Sequence, residues 1–231
     1  MALALQDRVF VITGGFGALG QALAGVLGEQ GARVALLDRA QMRQASAATE
    51  RRLHLGGVDL GAEGAAQGAL AQVVQRWQRI DGLVNVAGGF AWETQADGSL
   101  ETWDRQYAMN LRSAVAAAQA VLPHLGEGGR IVNIGAMAAL KAGAGTAAYA
   151  ASKAGVLRFT EALADELKER GVTVNAVLPS IIDTPANRRD MPDAKFDRWV
   201  TPKALGRVIA FLLSDDAAAI TGASLPVTGR V

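Results

Sequence analysis

The chain has 231 residues, half of them hydrophobic, with a formal net charge of +1 and no cysteine. That length suits one large domain burying roughly 70% of its unfolded surface, and the near-neutral balance gives no electrostatic case for nucleic acid or an anionic membrane. Without cysteine there are no disulfides, no thiolate metal sites and no cysteine nucleophile.

The N-terminal stretch MALALQDRVF is interrupted by Asp7 and Arg8, too soon for a signal peptide. No run approaches the ~18 apolar residues that span a bilayer, so a soluble, cytoplasmic protein is expected. VFVIT (9–13) reads as the first buried strand and 18–30 as the helix that follows it. Between them lies TGGFGALG (13–20), a glycine-rich turn whose backbone N–H groups could approach a diphosphate at a helix N-terminus. Its context, strand before and helix after, raises it above an ordinary tight turn and makes Gly14, Phe16, Gly17, Ala18, Leu19 and Gly20 candidate cofactor contacts. RVALLD (33–38) is the second strand, and Asp38 ends it eighteen residues past Gly20. A carboxylate there accepts hydrogen bonds from a ribose 2′-OH and repels a 2′-phosphate, favouring NAD(H). Arg39 beside it could accommodate that phosphate, so NADP(H) stays possible.

Residues 62–78, 101–125 and 147–170 have helical length and composition, while LVNVA (83–87), RIVNIG (130–135) and VTVNAVL (172–178) read as further buried strands. Strand–helix alternation without hairpin signals predicts an α/β fold, a Rossmann-type doubly wound parallel sheet with helices on both faces, forming one domain over 1–231. Residues 180–203 break the rhythm: the stretch is polar, holds three prolines and Trp199, and reads as a substrate-covering segment.

Tyr149 and Lys153 stand four residues apart, on one face of the last helix. A phenol titrates near ~10, and a neighbouring ammonium favours the phenolate, bringing the group closer to use as an acid or base at working pH. His54 and His124 have no carboxylate or cysteine pattern around them, so no metal is expected. There is no Gly-x-Ser-x-Gly elbow either, which argues against covalent hydrolysis.

Taken together, TGGFGALG, Asp59-Leu60, NVAG (85–88), Asn110, YAASK (149–153), VNAVLP (174–179) and ITGASLPVTG (220–229) resemble the short-chain dehydrogenase/reductase superfamily over nearly the whole chain and in the right order. The resemblance implies that Gly14, Gly20, Asp38, Asp59, Leu60, Asn85, Ala87 and Gly88 line the adenosine and diphosphate side. It implies that Tyr149 exchanges the proton, that Lys153 holds the nicotinamide ribose and lowers the tyrosine's pKa, and that Asn110 positions a relay water from a kinked helix. Pro179, Ile182 and Thr184 would approach the nicotinamide carboxamide. It further implies a homodimer or homotetramer, built through the helices at 101–125 and 147–170, with Ala114, Ala117, Ala154 and Gly155 as close-packing positions, and through the C-terminal strand.

Three positions depart from the family pattern. Ala18 replaces the middle glycine, with Gly17 beside it, and Val86 replaces the second asparagine of the Asn-Asn-Ala-Gly motif. Ala136, thirteen residues before Tyr149, stands where the family carries a substrate-binding serine. Losing such a hydrogen bond costs about 1–3 kcal/mol, roughly a hundredfold in rate near the top of that range. Thr146 and Ser180 are the nearest candidate replacements.

One branch of the superfamily lacks this serine: the dihydropteridine reductases. GGFGALG, VAGGF, GAMAAL and AVLPSIIDTPANRRDMPDAKFDRWVTP are similar to that branch's pattern. The resemblance implies hydride transfer from NADH to a quinonoid dihydropterin, a conjugated imine that depends less on a serine than a ketone does. Phe90, Trp92 and Trp199 are candidates for stacking on such a ring, and Ala136 and Met137 for its pocket wall; hydrophobic core or subunit contact are the alternatives for these aromatics. A ketone or alcohol oxidoreductase, and an NAD(H)-binding sensor without turnover, are the other functions the sequence leaves open.

Overall fold

A computed structural model describes residues 4–41 and 49–231; residues 1–3, at the head of the N-terminal stretch read above, lie outside the described residues. Val9–Thr13 (β1) is buried at every position, which explains its unbroken apolar run: a parallel strand covered on both faces has no solvent side to alternate with. Its side chains still divide between faces. Val9 and Val11 pack into one core with helices Ala65–Trp77 (α2), Ser113–Val121 (α4) and Ala147–Leu167 (α5), while Phe10 and Ile12 pack into the other with Ala18–Glu29 (α1) and Pro202–Leu213 (α7).

Among the described residues, seven strands form one wholly parallel sheet in the order β3-β2-β1-β4-β5-β6-β7. The other strands are Arg33–Leu37 (β2), Arg52–Leu55 (β3), Gly82–Asn85 (β4), Arg130–Ile134 (β5), Thr173–Pro179 (β6) and Ser224–Val227 (β7). The order reverses between β1 and β4, so a crevice opens beyond their C-terminal ends. The expected single-domain α/β architecture is therefore present.

Three elements carry weak local signals in the sequence. β3 is a half-buried edge strand of mixed polarity. β7 is the opposite edge and contains Pro226, which an edge strand tolerates because it needs no donor on its free side. α7 begins at the end of the segment read as irregular; Thr201 caps it by accepting from Ala204 N at 3.2 Å, and Pro202 sits in its first turn.

The stretch 101–125, read as one helix, is three pieces. Leu100–Tyr107 (α3) is capped by Ser99, which accepts from Thr102 N at 3.3 Å. A π-helical turn, Ala108–Arg112, then leads into α4. Residues 180–203 contain a short helix, Pro185–Asp190 (α6), and a 3-10 turn, Phe196–Arg198. A parallel bridge between Ile182 and Val200 closes the base of that excursion, with Asp183 N donating to Val200 O at 2.8 Å.

Candidate active site

The crevice beyond β1, β2 and β4 is a cleft of about 950 Å³. Gly14, Gly17, Ala18, Leu19, Asp38, Arg39, Asp59, Leu60, Ala87 and Gly88 line it, with Thr184 on the α6 side. The turn at its base requires glycine. Gly14 has φ +61°, and a Cβ there would lie 2.8 Å from Ala87 N; at Gly20 a Cβ would lie 2.7 Å from Gly15 Cα. Gly17 takes the N-cap position of α1 with no side-chain cap, and the first turn carries no acidic residue, so its N–H groups remain available to an anion. Asp38 is fixed at the rim by Phe16 N and Ala40 N, each donating at 2.9 Å to a different carboxylate oxygen. A dinucleotide fits this donor set: N–H groups for the diphosphate and a carboxylate for a ribose.

Phe16, Asn85, Pro179 and Ile182 are not among the residues that line this cleft. Phe16 turns its ring to His54, centroid to centroid 6.1 Å, and meets Asp38 only through its backbone. Asn85 is buried beneath the cleft, donating to Asn133 Oδ1 at 2.9 Å; Asn133 in turn donates to Thr160 Oγ1 at 2.9 Å. These links tie β4, β5 and α5 together. Pro179 ends β6, and Ile182 pairs with Val200.

Tyr149 and Lys153 lie on the first turns of α5. Lys153 is buried, and its Nζ donates to Ile134 O at 2.7 Å. The π turn brings Asn110 to the same place. A Cβ on Gly88 would stand 2.6 Å from Asn110 Oδ1 and 3.4 Å from Lys153 Nζ, so a glycine here lets the cleft wall approach both. Asn110 Oδ1 accepts from Gly89 N at 3.0 Å, and its amide group reaches Gly89 O at 3.1 Å, Gln106 Oε1 at 3.0 Å and Ser152 Oγ at 3.1 Å. Ser152 donates to Tyr149 O at 2.7 Å. Gln106 and Ser152 complete this network without a role assigned by the family pattern. Their signal was positional, Gln106 four residues before Asn110 and Ser152 immediately before Lys153.

Ala136, thirteen residues before Tyr149, is buried in extended backbone ahead of a 3-10 turn, Met137–Ala139. Met137 packs against the small core of Leu157, Ala176 and Leu178. Neither candidate replacement hydroxyl points its proton here. Thr146 Oγ1 donates to Gly143 O at 2.8 Å, and Ser180 Oγ donates to Thr228 O at 2.7 Å. Phe90 is 59% exposed, with its ring edge-to-face against Tyr149 at 5.0 Å. Trp199 is only 6% exposed and packs on Phe196 at 4.9 Å, so its ring is held within residues 180–203.

Residues 8–195 match the family described as short chain dehydrogenase. The chain belongs to the short-chain dehydrogenase family. It is 37% identical over 244 residues to the (2S)-[(R)-hydroxy(phenyl)methyl]succinyl-CoA dehydrogenase subunit BbsD of Thauera aromatica, covering 98% of this chain and 97% of that one. Cyclopentanol dehydrogenase of Comamonas testosteroni is 31% identical, with 97% of each chain covered. Among solved structures, a short-chain dehydrogenase/reductase from Serratia marcescens superposes with a TM-score of 0.89 at 33% identity, covering 98% of each chain. Membership makes the protein an NAD(P)-dependent oxidoreductase and matches its parallel sheet flanked by helices.

The electrostatics of the family's tyrosine–lysine pair take a specific form in this protein. Burial pushes Tyr149 up to about 12 and Lys153 down to about 8. The tyrosine shift is opposite in direction to the one expected from a neighbouring ammonium. Desolvation disfavours each charged form, and Lys153 directs a hydrogen bond to the Ile134 carbonyl. In this state the phenol holds its proton, as a proton donor to a reduced substrate must. Among the described residues no cluster of His, Asp or Glu could hold a metal ion, and no helix is long and apolar enough to cross a membrane.

Proposed function

We propose that the protein is an NAD(H)-dependent reductase of flat conjugated rings, of dihydropteridine-reductase type. The observation that carries this reading is the absence of a committed hydroxyl at Ala136, with Thr146 and Ser180 donating elsewhere. An isolated ketone gains much of its reactivity from donors at its oxygen, whereas a conjugated imine spreads developing charge over the ring. The nicotinamide cofactor, when bound, supplies hydride. Tyr149 supplies the proton, so the ring gains two electrons and two hydrogens. Lys153 and Asn110 hold the ribose side and the proton path, and Phe90, exposed beside Tyr149, offers a face to the ring.

Asp38 supports a preference for NAD(H), while Arg39 on the same rim leaves NADP(H) as a slower alternative. Residues 180–203 cover the substrate, with Thr184 and α6 already on the cleft wall. A homodimer or homotetramer fits the exposed Leu100, Trp103 and Tyr107 on α3 and the exposed Phe211 and Leu225 on α7 and β7. A cytoplasmic location follows from the same reading of an NADH-using reductase.

A second reading has its own support: relatives named for cyclopentanol and for a hydroxy(phenyl)methyl succinyl-CoA suggest a secondary alcohol substrate. An NAD(H) sensor is disfavoured because Asn110, Tyr149 and Lys153 are assembled together. NADH oxidation with a quinonoid dihydropterin, beside a panel of ketones and an NADPH control, separates the readings. Rapid oxidation with the pterin alone supports the ring reductase; oxidation with ketones alone replaces it with the alcohol dehydrogenase.

A further inference from the structure

Trp92 is 62% exposed, yet its ring is tied to the loop that leads into α5. The indole Nε1–H donates to Ala144 O at 3.1 Å. Its face lies on Gly145: a Cβ there would fall inside van der Waals contact with Cε2 and Nε1, and 2.8 Å from Cδ1. Gly145 has φ +73°, a conformation that already favours glycine. The next backbone group closes the join, with Glu93 N donating to Gly145 O at 2.9 Å. Two residues later α5 begins, and Tyr149 follows in its first turn.

Little else holds this loop. Residues 141–144 are exposed, no strand pairs with them, the Thr146 side chain bonds only to its own Gly143, and the remaining backbone bonds are local, Lys141 N to Met137 O at 3.3 Å and Ala150 N to Thr146 O at 2.8 Å. The other end of the brace is firm. Gly89, three residues before Trp92, is held on both its N–H and its C=O by the buried Asn110. A continuous frame thus runs from Asn110 through Gly89 and Trp92 to Gly145 and the start of the Tyr149 helix.

We propose that Trp92 is a positioning residue: it sets the entry of α5, and so the Tyr149 phenol, against the cofactor cleft, and it is not a platform for substrate. A shift of about 1 Å at a reacting group is enough for a hundredfold change in rate. The role is independent of substrate identity, because it acts through the tyrosine.

The test compares Trp92→Ala, Trp92→Phe and Gly145→Ala by hydrogen–deuterium exchange of the NADH-bound proteins and by turnover of two probes, a quinonoid dihydropterin and cyclohexanone. Trp92→Ala is expected to speed amide exchange in residues 143–150 at least tenfold. It should lower kcat at least tenfold on whichever probe is turned over, with KM for that probe and the NADH Kd within twofold. Gly145→Ala should reproduce both effects by expelling the ring, and Trp92→Phe, which keeps a flat face on Gly145, should restore most of kcat. Unchanged exchange in Trp92→Ala overturns the proposal even if neither probe reacts, and in that case the substrate reading fails separately. A raised KM for the pterin with kcat retained would also overturn it, by making Trp92 a stacking surface.

Discussion

The Lys153 ammonium donates to the Ile134 carbonyl at 2.7 Å from a buried position at the end of β5, where burial draws its pKa down to about 8. A charge buried there comes at the expense of stability. Lys153→Met is therefore predicted to stabilise the cofactor-free protein at pH 7, by about 1–3 kcal/mol, while removing turnover. Thermal or urea unfolding of both forms checks this, and a less stable variant would contradict it.

The same shift sets the pH dependence of stability. Lys153 titrates at about 8 when folded against an ordinary 10.5, so between those values the unfolded chain holds a proton that the folded chain has released. The lysine's contribution to stability therefore rises with pH through that window. Tyr149 acts oppositely at higher pH: raised from 10.0 to about 12, its contribution is full below 10 and is lost as pH climbs toward 12. Urea midpoints for the wild type should gain on Lys153→Met between pH 8 and pH 10.5, narrowing the difference between them; a constant gap would place the lysine's titration elsewhere.

Asp38 accepts from two backbone N–H groups, one on each carboxylate oxygen, while lining the cleft. Asp38→Asn keeps one acceptor oxygen and removes the repulsion toward a 2′-phosphate. The ratio of kcat/KM for NADPH over NADH should rise by roughly tenfold or more, on the order of 1.4 kcal/mol, with only a small loss in Tm. Parallel steady-state assays measure it, and an unchanged ratio would remove Asp38 from cofactor choice.

Tyr149→Phe leaves the ring against Phe90 and deletes only the phenolic hydroxyl, the proposed proton source. Turnover should fall at least about 10²-fold, the scale of general acid catalysis, while NADH affinity measured by fluorescence stays within twofold. Retained turnover would require another donor.

Sequence made the cofactor half readable because its constraints fall on residue types. Gly14 and Gly20 must be glycine where backbone passes backbone, and the two-sided burial of β1 leaves an unbroken apolar run. The catalytic half was readable only as spacing. The π turn at Ala108–Arg112 leaves the helical pattern of 101–125 intact on both sides, so the shift that turns Asn110 toward Ser152 is invisible in composition. Edge strands such as β3 escape because Arg52 and His54 carry no apolar run. Trp199 stands in a polar segment that leaves substrate stacking and core packing both open, and packing on Phe196, with Arg188 over that ring at 4.7 Å, accompanies its burial. The direction of the Tyr149 shift depends on burial, which spacing does not report.

In the proposed function, the missing hydroxyl at Ala136 marks the substrate class. The decisive measurement is kcat/KM of wild type and Ala136→Ser on a quinonoid dihydropterin and on a simple ketone. The serine variant is expected to gain about tenfold or more on the ketone, the scale of one hydrogen bond to the reacting oxygen, with the pterin changed by less than about threefold. Equal gains on both substrates, or a gain on the pterin alone, would contradict it.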